Sequence, residues 1–287
     1  MANTYAAALI VDRLAEEAVT TLGNRLAPLR AFTRDFGTSV YMPRQKVQIV
    51  STATTSTAAD NPSDYESGDT TSTAIEVTVN ECNASFHVGS QGFMQGERLE
   101  RIARANLNDL GDHIWDKCAT LFRKAAGYST NTVITAGAET AFDATDRASA
   151  YGSIAKGYER HLILNGTAYA TNAPTDKNGF QLSQEGAFGW DGIHLATKWD
   201  ASSIESNIYG VAATPNAIAV CSGLPNIPGS VANQLDSVST VDIPGLDLTI
   251  QVCVWGSTAT REQWMSYGVM FGAAVSDGSA YTCIVVS

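Results

Sequence analysis

The stretch between Leu99 and Phe122 limits what this chain can fold into more than any other. Leu99, Ile102, Ala103, Leu107, Leu110, Ile114, Cys118, Leu121 and Phe122 recur at spacings of three and four, while Glu97, Arg98, Glu100, Arg101, Arg104, Asp112 and Asp116 take the other faces. The pattern predicts an amphipathic helix over residues 97–126, roughly 45 Å long at about 1.5 Å per residue. A rod of that length suits a spine across which a flat molecule is built.

A second helix precedes it. Ile10, Leu14, Ala18, Leu22 and Leu26 recur every four residues, with Asp12, Arg13, Glu16 and Glu17 on the wet side, and Pro28 ends the pattern. Residues 29–37 mix Arg30 and Arg34 with Phe32 and Phe36, and read as an extended arm laying aromatic rings on a neighbouring surface. The period then changes to two. Val47 and Ile49 alternate with Lys46 and Gln48, and Ile75, Val77 and Val79 with Glu76, Thr78 and Asn80. Between them lies a Ser- and Thr-rich stretch with turn signals at Asn61-Pro62 and Gly68-Asp69. This predicts a long hairpin with a polar tip. Two strands alone are only marginally stable in water, so the hairpin must lean on the rest of the chain or on another chain.

Residues 82–89 continue as a strand with Phe86 and Val88. Beyond Gly127 the elements shorten. A helix is predicted over 143–156, a buried strand over 161–164, a short helix over 167–172, a hairpin strand over 190–195, and a helix over 215–223 with Pro215 in its first turn. Leu248, Ile250, Val252 and Val254 then alternate with polar neighbours, and residues 265–275 and 281–286 give two more strands around an Asp277-Gly278 turn. The class is α+β, without a repeat of fixed period.

Composition narrows the function. The 287 residues are 44% hydrophobic, enough for a sizeable core, yet only 16% charged, with 29 acids against 18 bases and a net charge of −11. A dedicated nucleic-acid binder would need a basic footprint to displace phosphate counterions. So few charges suit a surface largely buried against copies of itself, because charged residues are depleted at interface cores. Five scattered cysteines, without a C-x-x-C pair, suit a reducing compartment. No apolar run reaches membrane-spanning length, and the first residues do not form a signal peptide.

Catalytic and metal motifs are missing. His87, His113, His161 and His194 match neither H-E-x-x-H nor a zinc-finger spacing. Asp60, Asp64, Glu66 and Asp69 miss the calcium-loop pattern and read as a solvated or interface-paired tip. Gly186, Gly189 and Gly192 do not form a dinucleotide fingerprint, and neither a G-x-S-x-G elbow nor a Walker A loop occurs. Trp190, Trp199, Trp255 and Trp264 read as core or interface anchors. No cofactor is expected.

The order of elements, with the stretches GNRLAPLRAFTRDFG (23–37), NPSDYESGDTTSTAIEVTVN (61–80), SFHVGSQGFMQGERLERIARANLNDLGDHIWD (85–116), TPNAIAVCSGLP (214–225) and GVMFGAAVSDGSAYTCIVV (268–286), resembles the major capsid protein of tailed bacteriophages, the Hong Kong 97-like fold. The resemblance spans nearly the whole chain. It implies an N-terminal arm over 1–40, an extended loop over 41–81, a peripheral domain over 82–130 and 246–275 with the spine helix 97–126, and an axial domain over 131–245 and 276–287. It implies no enzymatic activity, and self-assembly as pentamers and hexamers into an icosahedral virion capsid, formed in the host cytoplasm, that encloses double-stranded DNA without gripping it. A portal protein, and separate scaffolding or decoration proteins, are the implied partners; a membrane is not.

The subunit interface is expected at the Val47, Ile49, Ile75 and Val77 face of the hairpin. No Lys or Arg lies between Lys46 and Arg98, so Asp60, Asp64, Glu66 and Asp69 need positive partners on another surface, for which Arg30, Arg34 and the spine arginines are candidates. The tip has no Lys, so the covalent isopeptide linkage of some family members is not expected. An encapsulin-type compartment with the same fold is the alternative, and a β-rich hydrolase a remoter one.

Overall fold

The structure, a computed structural model, describes residues 2–33, 35–39, 45–50, 55–56, 70–71, 74–89, 96–122, 134–136, 144–154, 159–165, 193–195, 208–257 and 262–286. Two long helices form one layer. In α1 (Ala2–Leu26) the four-residue recurrence becomes a continuous stripe, with Ile10, Leu14, Ala18, Leu22 and Leu26 all buried. In α2 (Gly96–Ala119) the buried stripe is Ala103, Leu107, Leu110, Ile114 and Cys118.

Three ion pairs tie the helices together. Arg13 donates to Glu100 at 2.9 Å, Arg104 to Glu17 at 2.5 Å, and Arg25 pairs with Asp112, each pair 87 residues apart in sequence. An offset that stays constant over three turns requires both helices to advance in the same direction, so α1 and α2 are parallel. Asp112, expected on a wet face, is instead buried, because α1 covers it and Arg25 supplies the compensating charge.

α2 starts within one residue of expectation and ends earlier. The α-helix stops at Ala119 and tightens into a 3-10 turn over Thr120–Phe122, where the Thr120 hydroxyl donates to the Lys117 carbonyl; residues 123–126 lie outside the described residues. Its α-helical part is thus 24 residues, about 36 Å. The arm is corrected too. After Leu26 the chain turns through a 3-10 helix (Ala27–Ala31) with Pro28 at its start, and Phe32 is fully buried in its own core between Trp115 and Phe122.

The helices cover one face of a large sheet centred on β13 (Glu262–Val275). Glu262–Phe271 of β13 pairs antiparallel with β5 (Ala74–Gly89), Glu262–Gly268 with β12 (Leu248–Ser257), and Met270–Val275 with β10 (Ile218–Gly223). Beyond β10 lies β1 (Asp35–Ser39), parallel to it, and beyond β12 lies β11 (Ser237–Ile243), which ends the sheet. The segment expected as a helix over 215–223 is therefore mostly strand β10. All six of its residues are buried, so its apolar residues carry no two-residue alternation, and an unbroken apolar run does not distinguish strand from helix.

β5 is one unbroken 16-residue strand across the expected boundary between 81 and 82. Its last ten residues pair with β13, and its first six pair with β2 (Gln45–Val50) to build the hairpin. The hairpin continues with β3 (Thr55–Ser56) against β4 (Thr70–Thr71), and the tip between them lies outside the described residues.

A smaller sheet holds β6 (Ile134–Ala136), β14 (Tyr281–Val286), β9 (Ile208–Ala213), β7 (His161–Leu164) and β8 (Ile193–Leu195) in that order. β8 was expected in a hairpin but pairs parallel to β7. Helix α3 (Ala144–Ser153) contacts β6, β9 and β14. The helix expected over 167–172 lies outside the described residues. Cys283 in β14 reaches the Phe122 carbonyl and Tyr281 stacks edge-on against Phe122, so the end of α2 is where the two sheets share a core.

Candidate functional site

The large sheet buries residues on both faces, and β5 shows how. Cys82, Phe86 and Val88 point into the main core with α1 and α2, whereas Val77 and Val79 are buried on the opposite side, in a small cluster with Ala219, Cys221 and Met270. The buried residues thus change parity between Val79 and Cys82. The change is possible because the hairpin passes over β13 at Gly272, where an added Cβ would meet the Thr78 carbonyl oxygen at 2.3 Å. Only a glycine lets the two backbones come this close.

The sequence-predicted interface residues fall into three groups. Val47 is in register with Val77, and Ile49 with Ile75. Val77 is fully covered within its own chain and Ile75 borders the same cluster, so the base of the hairpin leans on its own subunit. Arg30 donates to the carbonyls of Gly245 (2.8 Å) and Pro244 (2.6 Å) at the turn between β11 and β12, fixing the 3-10 helix to that turn. Gly245 has φ +75 and an added Cβ there would collide with the Arg30 guanidinium, so the clasp requires glycine. Arg34, Asp60, Asp64, Glu66 and Asp69 lie outside the described residues.

Across the open face of the large sheet runs a feature that sequence reasoning missed. His87, Trp264 and Trp255 are direct cross-strand neighbours on β5, β13 and β12; the imidazole lies 4.7 Å from the Trp264 ring, and the two indoles stack at 6.2 Å with planes 14° apart. Glu262 approaches His87 Nε2 at 3.7 Å. Beside this row is a cleft of about 290 Å³, roofed by Pro225, Ile227, Val231 and Leu235 and floored by Gln251, Cys253 and Trp255. The register of β5, β13 and β12 aligns the row, and the sequence alone does not supply that register.

The thiols and the buried tyrosine are held in their neutral forms. All five cysteines are buried free thiols. Burial pushes the Cys221 thiol up to about 11 and raises Cys82, Cys118 and Cys253 as well, which disfavours the thiolate nucleophile. Burial likewise raises the Tyr267 hydroxyl, which donates to the Leu14 carbonyl of α1. Among the described residues no group of three or more His, Cys, Asp or Glu could hold a metal ion, and no helix is long and apolar enough to cross a membrane.

No family model matches the sequence, and no curated protein is significantly similar to it. Solved structures are similar in fold. A virus-like particle from Pyrococcus furiosus matches over 95% of this chain and 98% of its own, with TM-score 0.51 and 12% identity. The capsid of an empty GTA particle matches over 92% and 90% with TM-score 0.47 and 14% identity. A structure of Gordonia phage Cozz matches over 92% and 87% with TM-score 0.46 and 10% identity. This chain has the fold of the Pyrococcus particle protein, end to end.

Proposed function

We propose that the chain is a major capsid protein of a tailed bacteriophage, a structural subunit that assembles with copies of itself into an icosahedral shell around double-stranded DNA. The observation that carries the reading is the fold shared with the Pyrococcus furiosus virus-like particle over 95% of this chain. The division into arm, extended loop, peripheral and axial domains follows from the resemblance and is consistent with two sheets joined at the end of a long helix. Pentamers and hexamers are the expected capsomers, with portal, scaffolding and decoration proteins as partners.

The physical features favour this role. A chain with only 16% charged residues is suited to covering its surface with neighbours. A net charge of −11 lets packaged DNA lie against the wall without the counterion release that would hold it there. Arg13, Arg25 and Arg104 are committed to Glu100, Asp112 and Glu17 within the chain, so Arg104 is the least suited of the candidate partners for the hairpin acids.

The test is electron microscopy of the purified full chain under assembly conditions. Icosahedral particles, or five- and six-fold rings, are expected; a uniform monomer refutes the reading. Nucleic acid inside native particles distinguishes a viral shell from an encapsulin-type compartment filled with protein. Charge reversal at Asp64 and Glu66 is expected to impair assembly while leaving the subunit folded.

A further inference from the structure

We infer that strand β11 is a joint between two copies of this chain, pairing antiparallel with β11 of a second copy across a twofold axis at Thr240. The inference rests on the shell reading and names one of its contacts.

β11 pairs with β12 along all seven of its residues in an unbroken register and ends the large sheet, so its far edge presents backbone donors and acceptors that no described strand takes up. Sheet edges of this kind are normally blunted by shortness, proline, lysine or a bulge. The other edges of the two larger sheets are blunted among the described residues: β1 has five residues, β6 and β8 three each, and β2, with six, carries Lys46. β11 has seven, reads SVSTVDI, and contains neither proline nor lysine.

The edge is also held rigid. α1 packs beneath it, the Arg30 clasp fixes the turn that follows it, and Asp242 accepts a hydrogen bond from Thr249 of β12. A strand already ordered in this way pays little further conformational entropy on pairing. Its upper face is half open, with Val238 44% exposed.

The partner that fits is the same strand. Two chains of net charge −11 repel, so a contact between copies belongs where charge is sparse, and β11 has a single charged residue, Asp242. Pairing about Thr240 sets Thr240 against Thr240, a favourable cross-strand pair, and Val238 against Asp242. The two Asp242 residues are then four positions apart along the strands, about 14 Å, beyond the screening length of about 8 Å at physiological salt. Such a contact is isologous and closes on itself. Asp236 before the strand and Pro244 after it limit the joint to seven residues.

The inference is tested by Thr240→Cys in assembled particles. Directly opposed residues in an antiparallel pair have Cα atoms about 4.5–5.5 Å apart, within disulfide range. Oxidation with diamide is expected to give a dimer as the main band on a non-reducing denaturing gel. Val238→Cys alone should remain monomeric, because its copies would be about 14 Å apart. The five native thiols are buried and contribute little background. Intact particles in which Thr240→Cys stays monomeric overturn the inference and leave the shell reading standing.

Hydrogen exchange on the unmodified chain gives an independent readout should the variant not assemble. Alternate amides of β11 should slow by about tenfold or more between isolated subunits and particles; unchanged exchange overturns the joint. Failure of the unmodified chain to form particles overturns both readings.

Discussion

The two halves of β5 obey the same alternation and answer to different cores. From Cys82 to Val88 the buried side chains face α1 and α2 and belong to the main core; from Ile75 to Val79 they face the other way and, among the described residues, pack in a small cluster with Ala219, Cys221, Met270 and Ala274. Val77 and Val79 are buried as fully as Cys82, Phe86 and Val88 or more so, but less structure stands behind them. The lower half is fixed by a helix layer, and the upper half rests on a cluster of a few side chains.

That contrast can be broken at graded depths. Phe86→Ala removes a large side chain from the main core and is expected to cost about 3–5 kcal/mol, seen as a lower denaturant midpoint of the whole subunit. Asp112→Ala leaves the Arg25 guanidinium without its partner against α2 and should cost about 1–3 kcal/mol in the same assay, with Asp112→Asn milder. Val77→Ala removes about two methylene equivalents, roughly 1.6 kcal/mol, but from the small cluster. Its effect should appear as faster amide exchange in residues 74–79, with little change in residues 80–89. Equal loosening of both halves would erase the distinction. Gly272→Ala should produce the same local signature by displacing the Thr78 carbonyl.

The smallest effect is expected on the helix surface. Arg13→Ala breaks an exposed pair and should change stability by no more than about 0.5 kcal/mol. Arg104→Ala should act similarly and depend on pH. The hydrogen bond from Arg104 holds the Glu17 carboxyl below its ordinary range, so the pair contributes at neutral pH and its contribution is lost as pH falls through that lowered value. The variant and the parent should therefore converge in acid unfolding.

Much of this architecture was legible because the helices are strongly periodic. The stripes from Ile10 to Leu26 and from Ala103 to Cys118 are both buried as expected. The parity change between Val79 and Cys82 falls beside the boundary that the resemblance implies between an extended loop ending at 81 and a domain starting at 82. A single strand with a core on each face gives the same pattern as two strands meeting there, and only the register with β13 separates the two. β10 was misread because burial on both faces removes its alternation, and β11 gave no signal because a half-exposed edge strand of Ser, Thr and Val resembles a loop in composition. The aromatic row at His87, Trp264 and Trp255 joins residues up to 177 positions apart, 264 minus 87, so no local pattern announces it.

The shared direction of α1 and α2 gives the subunit an electrical polarity. Antiparallel neighbours would largely cancel their peptide dipoles, but parallel ones add, placing roughly half a positive charge per helix at the Ala2 and Gly96 ends and roughly half a negative charge per helix at the other. Arg25 and Lys117 stand in the last turns, where they offset the negative end. The helix layer therefore has a head and a tail. Subunits set side by side in the same orientation repel through these layers, whereas subunits related by a twofold axis normal to the sheet lie head to tail and attract.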